Sequence, residues 1–159
     1  MSKYKIELKW GIIFTLMMLA WMVLERIAGL HDEHIDKHVV FTNFVAIPAI
    51  IVYVLALLEK RRNFYAGVMT YKEGFISGLI ISLIVTIFSP LTQYITSTII
   101  TPEYFANVIE YTVSQGEMSQ FEAEEFFNLK SYIYQVLIAT PIMGIITTAI
   151  VAIFTKKSS

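Results

Sequence analysis

Residues Thr101–Lys130, TPEYFANVIEYTVSQGEMSQFEAEEFFNLK, form the one long stretch of this 159-residue chain that is too polar for lipid and too long for a turn. Six of the thirteen acidic residues fall in it: Glu103, Glu110, Glu117, Glu122, Glu124 and Glu125. Thr101-Pro102-Glu103 reads as a helix start, with Thr101 as cap, proline in the first turn and an acid near the positive end of the dipole. Phe105, Val108, Ile109 and Thr112, joined by Val113, then recur at helical spacing, and Gly116 is a stop signal. Ser119-Gln120-Phe121-Glu122 has the pattern of a capping box, so a second helix starts there and runs towards the apolar segment that follows. Two short amphipathic helices over residues 101–131 are therefore expected. Their Tyr104, Phe105, Tyr111, Phe121, Phe126 and Phe127 suit the headgroup boundary, where aromatic rings collect.

Outward from this stretch the chain is apolar. Hydrophobic residues make up 56% of it and the mean hydropathy is +0.63, above the roughly 45–50% apolar content of soluble domains. The first apolar run, residues 8–30, follows Lys3, Lys5 and Lys9. It is too long for a signal peptide, and Glu25-Arg26-Ile27-Ala28-Gly29 offers no small-x-small cleavage site. The second, 39–58, has the ~20 residues needed to cross about 30 Å of hydrocarbon and ends at Glu59-Lys60-Arg61-Arg62. The third, 72–100, opens with the capping box Thr70-Tyr71-Lys72-Glu73 and is long enough that it must tilt, bend or protrude. The fourth, 133–155, ends at Lys156-Lys157. The expectation is an all-α polytopic membrane protein, a single membrane domain over residues 1–159. It is a four-helix transmembrane bundle with two short amphipathic helices on its outer face between spans three and four. Nine of the twelve basic residues (Lys3, Lys5, Lys9, Lys60, Arg61, Arg62, Lys72, Lys156 and Lys157) fall on one side. By the positive-inside rule that side, with both termini, is cytoplasmic.

Three constellations are candidates for function. Small residues recur every four positions on span three (Gly74, Gly78, Ser82, Thr86) and span four (Thr140, Gly144, Thr148, Ala152), a pattern that lets helix backbones approach closely in lipid. It predicts either packing of span three on span four or a homodimer seam. Ser89, Thr92, Gln93 and Thr96 share one face beside Pro90. With Glu25, Arg26, Thr42, Asn43, Gln135 and Thr140 at similar depth they would line an outward-open pocket. The bland alternative is interhelical hydrogen bonding, with Glu25 and Arg26 snorkelling to the interface. His31, His34 and His38 stand at i, i+3 and i+7. On a helix they would share a face able to bind zinc with outer carboxylates; as a solvated connection they would make a pH-responsive loop.

Other classes are disfavoured. The chain has no cysteine, hence no disulfide, thiolate metal site or cysteine nucleophile. It has no Gly-rich phosphate loop, no Gly-x-Ser-x-Gly and no His-Glu-x-x-His, so neither an enzyme nor a cofactor is expected. Lys60-Arg61-Arg62 with Lys72 is explained by topology, and no nucleic-acid partner is expected.

Several short motifs, in order and spacing, carry a likeness to a known family. They are Lys9-Trp10-Gly11 entering span one, Thr70-Tyr71-Lys72-Glu73-Gly74-Phe75 with Gly78 opening span three, and Ile100-Thr101-Pro102-Glu103-Tyr104 leaving it. Gly116-Glu117-Met118-Ser119 follows in the polar segment, then Pro141 with Gly144 before the final lysine pair. Over nearly its whole length the chain resembles the uncharacterised bacterial membrane proteins of domain of unknown function 4199, found mostly in Bacteroidetes. Thr101 stands where that family commonly has Asp before the proline. The resemblance implies four spans and a bacterial inner membrane, and supplies no activity.

The function expected from these features is that of an accessory or scaffold subunit. It would contact membrane lipid and bind another membrane or envelope protein, or a second copy, through Glu110, Glu117, Glu122, Glu124 and Glu125. The alternatives are small-solute or ion permeation through an oligomer, and a periplasmic metal-dependent site at His31, His34 and His38.

Overall fold

The computed structural model describes residues 3–157 and is all-helical. In chain order the helices are α1 (Lys5–Ile27), α2 (Ile35–Phe41), α3 (Ala46–Asn63), α4 (Tyr71–Ile95), α5 (Tyr104–Ser114), α6 (Gln120–Phe126) and α7 (Leu129–Thr155). Four stretches are long and apolar enough to cross a membrane: Lys5–Ile27, Ile35–Asn63, Tyr71–Ile100 and Leu129–Thr155. The chain is thus a multi-pass membrane protein. Its large apolar side chains point outward along the spans, among them Leu16, Leu24, Leu83, Ile87, Ile138 and Phe154. In water such a surface would aggregate; in lipid it is the solvated face.

Local chemistry sets the ends of these helices. Both capping boxes form: Thr70 and Ser119 accept the backbone N–H groups of Glu73 and Glu122, whose carboxylates reach back to the cap N–H groups. α1 and α5 stop in the same way. Gly29 and Gly116 take φ +73° and +72°, and the residue after each donates its N–H five residues back, Leu30 to Glu25 O and Glu117 to Thr112 O. These are Schellman turns, which need the left-handed conformation glycine adopts without a Cβ penalty. Thr101 does not cap α5 as its sequence context predicts. Its own N–H bonds to Thr96 O at 2.8 Å, Pro102-Glu103 make a turn first, and α5 starts at Tyr104 with no side-chain cap.

Two spans are interrupted. Before Pro48, in the first turn of α3, the chain tightens into a 3₁₀ turn at Thr42–Val45, which separates α2 from α3. In α4, Pro90 cannot donate to the carbonyl of Thr86, and the Ser89 hydroxyl donates to that oxygen instead, at 2.8 Å. α4 then widens into a π turn at Thr96–Ile100. The third run is thus not one regular helix to its end: α4 passes through Pro90 and gives way to the π turn.

α4 is the central helix, packed against α7, α1 and α3. Its closest approach is to α7. A β-carbon on Gly78 would stand 2.3 Å from Thr148 Cγ2, one on Gly144 would stand 2.3 Å from Ser82 Oγ, and one on Gly74 would touch Ala152 Cβ at 3.6 Å. The two small-residue stripes thus meet within one chain. Dispersion across this seam replaces the hydrophobic effect that lipid cannot supply. Ser82 also bonds the Tyr53 hydroxyl of α3 at 2.7 Å, beside a core of Ala56, Leu57, Met69, Ile81, Val85, Val151 and Ala152.

Both ends of the described chain lie at one end of the bundle, the terminal end, where Met69 and Lys157 exchange backbone hydrogen bonds. There Glu7 of α1 and Lys60 of α3 form an ion pair at 2.8 Å, each side chain at most 3% exposed. Ser77 of α4 donates to the same Glu7 oxygen at 2.8 Å, and the Lys60 ammonium also donates to Lys3 O and lies 3.9 Å from the Phe64 ring centroid. Arg61 ties α3 to the end of α7 by donating to Thr155 O at 2.9 Å. The opposite, cap end carries α2, α5 and α6.

Candidate functional site

At the cap end the Schellman turn at Gly29 folds the chain back over α1, and this brings a carboxylate and two imidazoles together. Glu25 on the last turns of α1 is 2% exposed and does not snorkel. Its Oε2 lies 3.0 Å from His31 Nε2 and 3.3 Å from His38 Nε2. The Trp21 indole N–H, one turn earlier on α1, donates to the other carboxylate oxygen and fixes its rotation. His31 is 3% exposed in the turn, and His38 projects from α2. One ligand atom from each of the three side chains lies within 4.8 Å of the other two.

The cap supports this cluster from above. Asn107 of α5 donates its amide to His31 O at 2.9 Å. The Tyr104 ring, also on α5, stands 5.3 Å from both imidazole centroids. Burial pushes the Tyr104 phenol well above its ordinary range, so it stays a neutral hydroxyl, 3.5 Å from that of Tyr132 on α7. Arg26 faces away from the cluster and is exposed; its guanidinium donates to Ile100 O on the π turn.

Below the cluster a cavity of about 260 Å³ runs between the spans. Ser89, Thr92, Gln93 and Thr96 of α4 line it with Thr42 and Thr140, and His31, His38 and Tyr104 close its cap side. Phe14, Met18, Val85 and Val136 supply an apolar floor. The α4 hydroxyls hold their own helix: Thr92 donates to Phe88 O at 3.0 Å, and Gln93 donates to Ser97 Oγ at 2.8 Å.

Not every residue of the sequence constellations joins this site. Asn43 is exposed and donates to Val39 O at 2.6 Å, and Gln135 donates to Ser131 Oγ at 3.1 Å, so neither lines the cavity. His34 is exposed at the N-terminus of α2, outside the Glu25 cluster. Glu110, Glu117, Glu122, Glu124 and Glu125 are exposed on the cap, with Glu122 engaged by Ser119 and Glu124 by the Gln120 amide. Trp21, Asn107 and Tyr132, which the sequence constellations leave out, complete the site together with Tyr104, which the sequence suggests for the headgroup boundary rather than for this cluster. Trp21 was findable, since it stands one turn before an intramembrane acid; the others depend on how the cap folds over the bundle.

The family described as protein of unknown function (DUF4199) matches residues 9–157, and no curated protein and no solved structure matches the chain.

Proposed function

The chain belongs to that family of unknown function, DUF4199, and on that premise we propose that it is a ligand-binding membrane subunit that admits a small polar solute or ion into the cavity under its cap. The observation that carries this reading is the cavity itself, about 260 Å³ beside a buried Glu–His–His group. A hollow left between the spans forfeits dispersion contacts that a filled interior would make, which supports its being kept for use rather than for stability. Its size suits an ion with its waters or a small solute, and the apolar floor at Phe14 and Val85 makes it a pocket rather than an open pore. Permeation would then need either an oligomer or a second conformation.

In this reading the basic terminal end faces the cytoplasm of a bacterium and the acidic cap faces the periplasm, which the distribution of Lys and Arg supports. A scaffold role is a second reading, favoured by the exposed carboxylates Glu110, Glu117 and Glu125 on the cap. Stoichiometric co-purification of one protein in mild detergent would support it.

The absence of native cysteine makes the cavity directly testable. Gln93→Cys and Thr92→Cys, placed one at a time, are expected to react with a membrane-impermeant maleimide. Ser82→Cys, at the α4–α7 seam, should be protected. Equal protection at all three positions overturns the cavity reading.

A further inference from the structure

Resting on that reading of the cavity, we infer that Glu25, His31 and His38 bind a divalent transition-metal ion of the zinc type, with the cavity supplying its fourth, exchangeable position. The donor set argues for this class. Two imidazoles with one carboxylate suit zinc and cobalt, whereas magnesium and calcium take oxygen ligands. Three protein ligands with one open position is the pattern of zinc sites that keep a water.

Geometry agrees with the chemistry. Bonds of about 2.0–2.1 Å at tetrahedral angles put neighbouring ligand atoms roughly 3.3 Å apart. Glu25 Oε2 already stands 3.0 Å from His31 Nε2 and 3.3 Å from His38 Nε2. The third edge, between the two imidazoles, is within 4.8 Å, and His38, 16% exposed against 3% for His31, is the ligand less enclosed by the protein. The Trp21 N–H on Oε1 leaves Oε2 as the coordinating oxygen, and the Asn107 bond to His31 O holds the turn that presents His31. Orientation of ligands by such outer partners is usual at metal sites. His31 Nδ1 is buried without a partner in the protein, and a cavity water is within its means to satisfy it. Coordination by one carboxylate and two neutral imidazoles also leaves the bound ion with a single net positive charge, a smaller cost to hold near lipid than a bare divalent cation.

Two imidazole N–H groups donating to one carboxylate oxygen would give the same distances without an ion, so the test must see the metal. Full-length protein in detergent, stripped with a chelator, is titrated with zinc chloride by calorimetry and with cobalt chloride by visible absorption. One zinc per chain at micromolar affinity or tighter is expected, with d–d bands of tetrahedral intensity for cobalt. Glu25→Gln and His38→Ala should each weaken zinc by about tenfold or more, and His34→Ala should change nothing. His38→Cys retains a ligand and should add a thiolate-to-cobalt charge-transfer band, a signature that a purely structural role for His38 cannot produce. Absence of heat and of cobalt bands overturns the proposal. So does a loss in His34→Ala equal to that in His38→Ala, which would mark adventitious binding by surface histidines. Maleimide labelling of Gln93→Cys separates the two readings. Labelling without zinc binding removes the metal and leaves the cavity; zinc binding with Gln93→Cys protected retains the metal and removes the cavity.

Discussion

The two ends of α1 each bury a carboxylate, and they neutralise it in different ways. At the terminal end Glu7 meets Lys60, a permanent cation, with Ser77 on the same oxygen and the Phe64 ring over the ammonium. At the cap end Glu25 meets two imidazoles and an indole, none of which must carry charge, beside a cavity. The first arrangement ties α1, α3 and α4 together through one oxygen of Glu7, which meets both Lys60 and Ser77. The second gathers potential ligand atoms, rather than a fixed cation, beside a hollow. A buried acid is therefore not in itself a functional site: the partner decides whether it is a rivet or a receptor.

The sharpest way to break this comparison is to remove one partner at the closed end. Lys60→Met leaves Glu7 buried with only Ser77, and is expected to cost about 3–5 kcal/mol. Thermal or denaturant unfolding in detergent, followed by circular dichroism, measures it. The double variant Glu7→Leu/Lys60→Met should recover most of the loss, because no uncompensated charge is left. If the single variant is no less stable than the double, Glu7–Lys60 is not a rivet.

Next in size is the seam that both ends depend on. Gly78→Val would drive a side chain into Thr148, where even a β-carbon lacks room, and should cost about 1–3 kcal/mol in the same assay. Smaller still is the loss of one base at the open end. His38→Ala leaves Glu25 with His31 and the Trp21 indole, so about 1 kcal/mol is expected. A cost for His38→Ala matching that of Lys60→Met would make Glu25 a rivet too.

What was legible in the sequence divides along the same line. The spans, both capping boxes and the stop at Gly116 rest on neighbours within five residues, so local pattern suffices. The Gly78–Thr148 and Ser82–Gly144 seam was legible as two stripes, though their partner was open until α4 and α7 were seen to meet within one chain. The Glu25–His31–His38 cluster was not legible as such. A helical reading of His31, His34 and His38 puts all three on one face, but α2 begins only at Ile35, and His31 belongs to the turn after Gly29. Glu25 and His31 are six apart, a separation that matches no helical face and is created by the Schellman turn. Glu7 and Lys60 likewise meet only through the register of α1 against α3, which no spacing within either helix encodes.

The smallest effect tests whether the cap is coupled to the open end or merely rests on it. Glu122 accepts from the Ser119 backbone N–H and hydroxyl, in that order of influence, which holds its carboxyl below the ordinary 4.5. A carboxylate whose folded pKa is depressed stabilises the fold fully above its ordinary value, and the contribution is lost as pH falls through the folded value. The start of α6 should therefore loosen below about pH 4.5, and amide exchange at Ala123 and its neighbours should quicken once corrected for the intrinsic pH dependence. Ser119→Ala should bring the same loosening at neutral pH. The indole signal of Trp21, which reports on Glu25, should stay unchanged in Ser119→Ala, because α5 rather than α6 supplies Asn107 and Tyr104 to the cluster. A shift of that signal would mean that the whole cap moves as one body and that α6 governs access to Glu25.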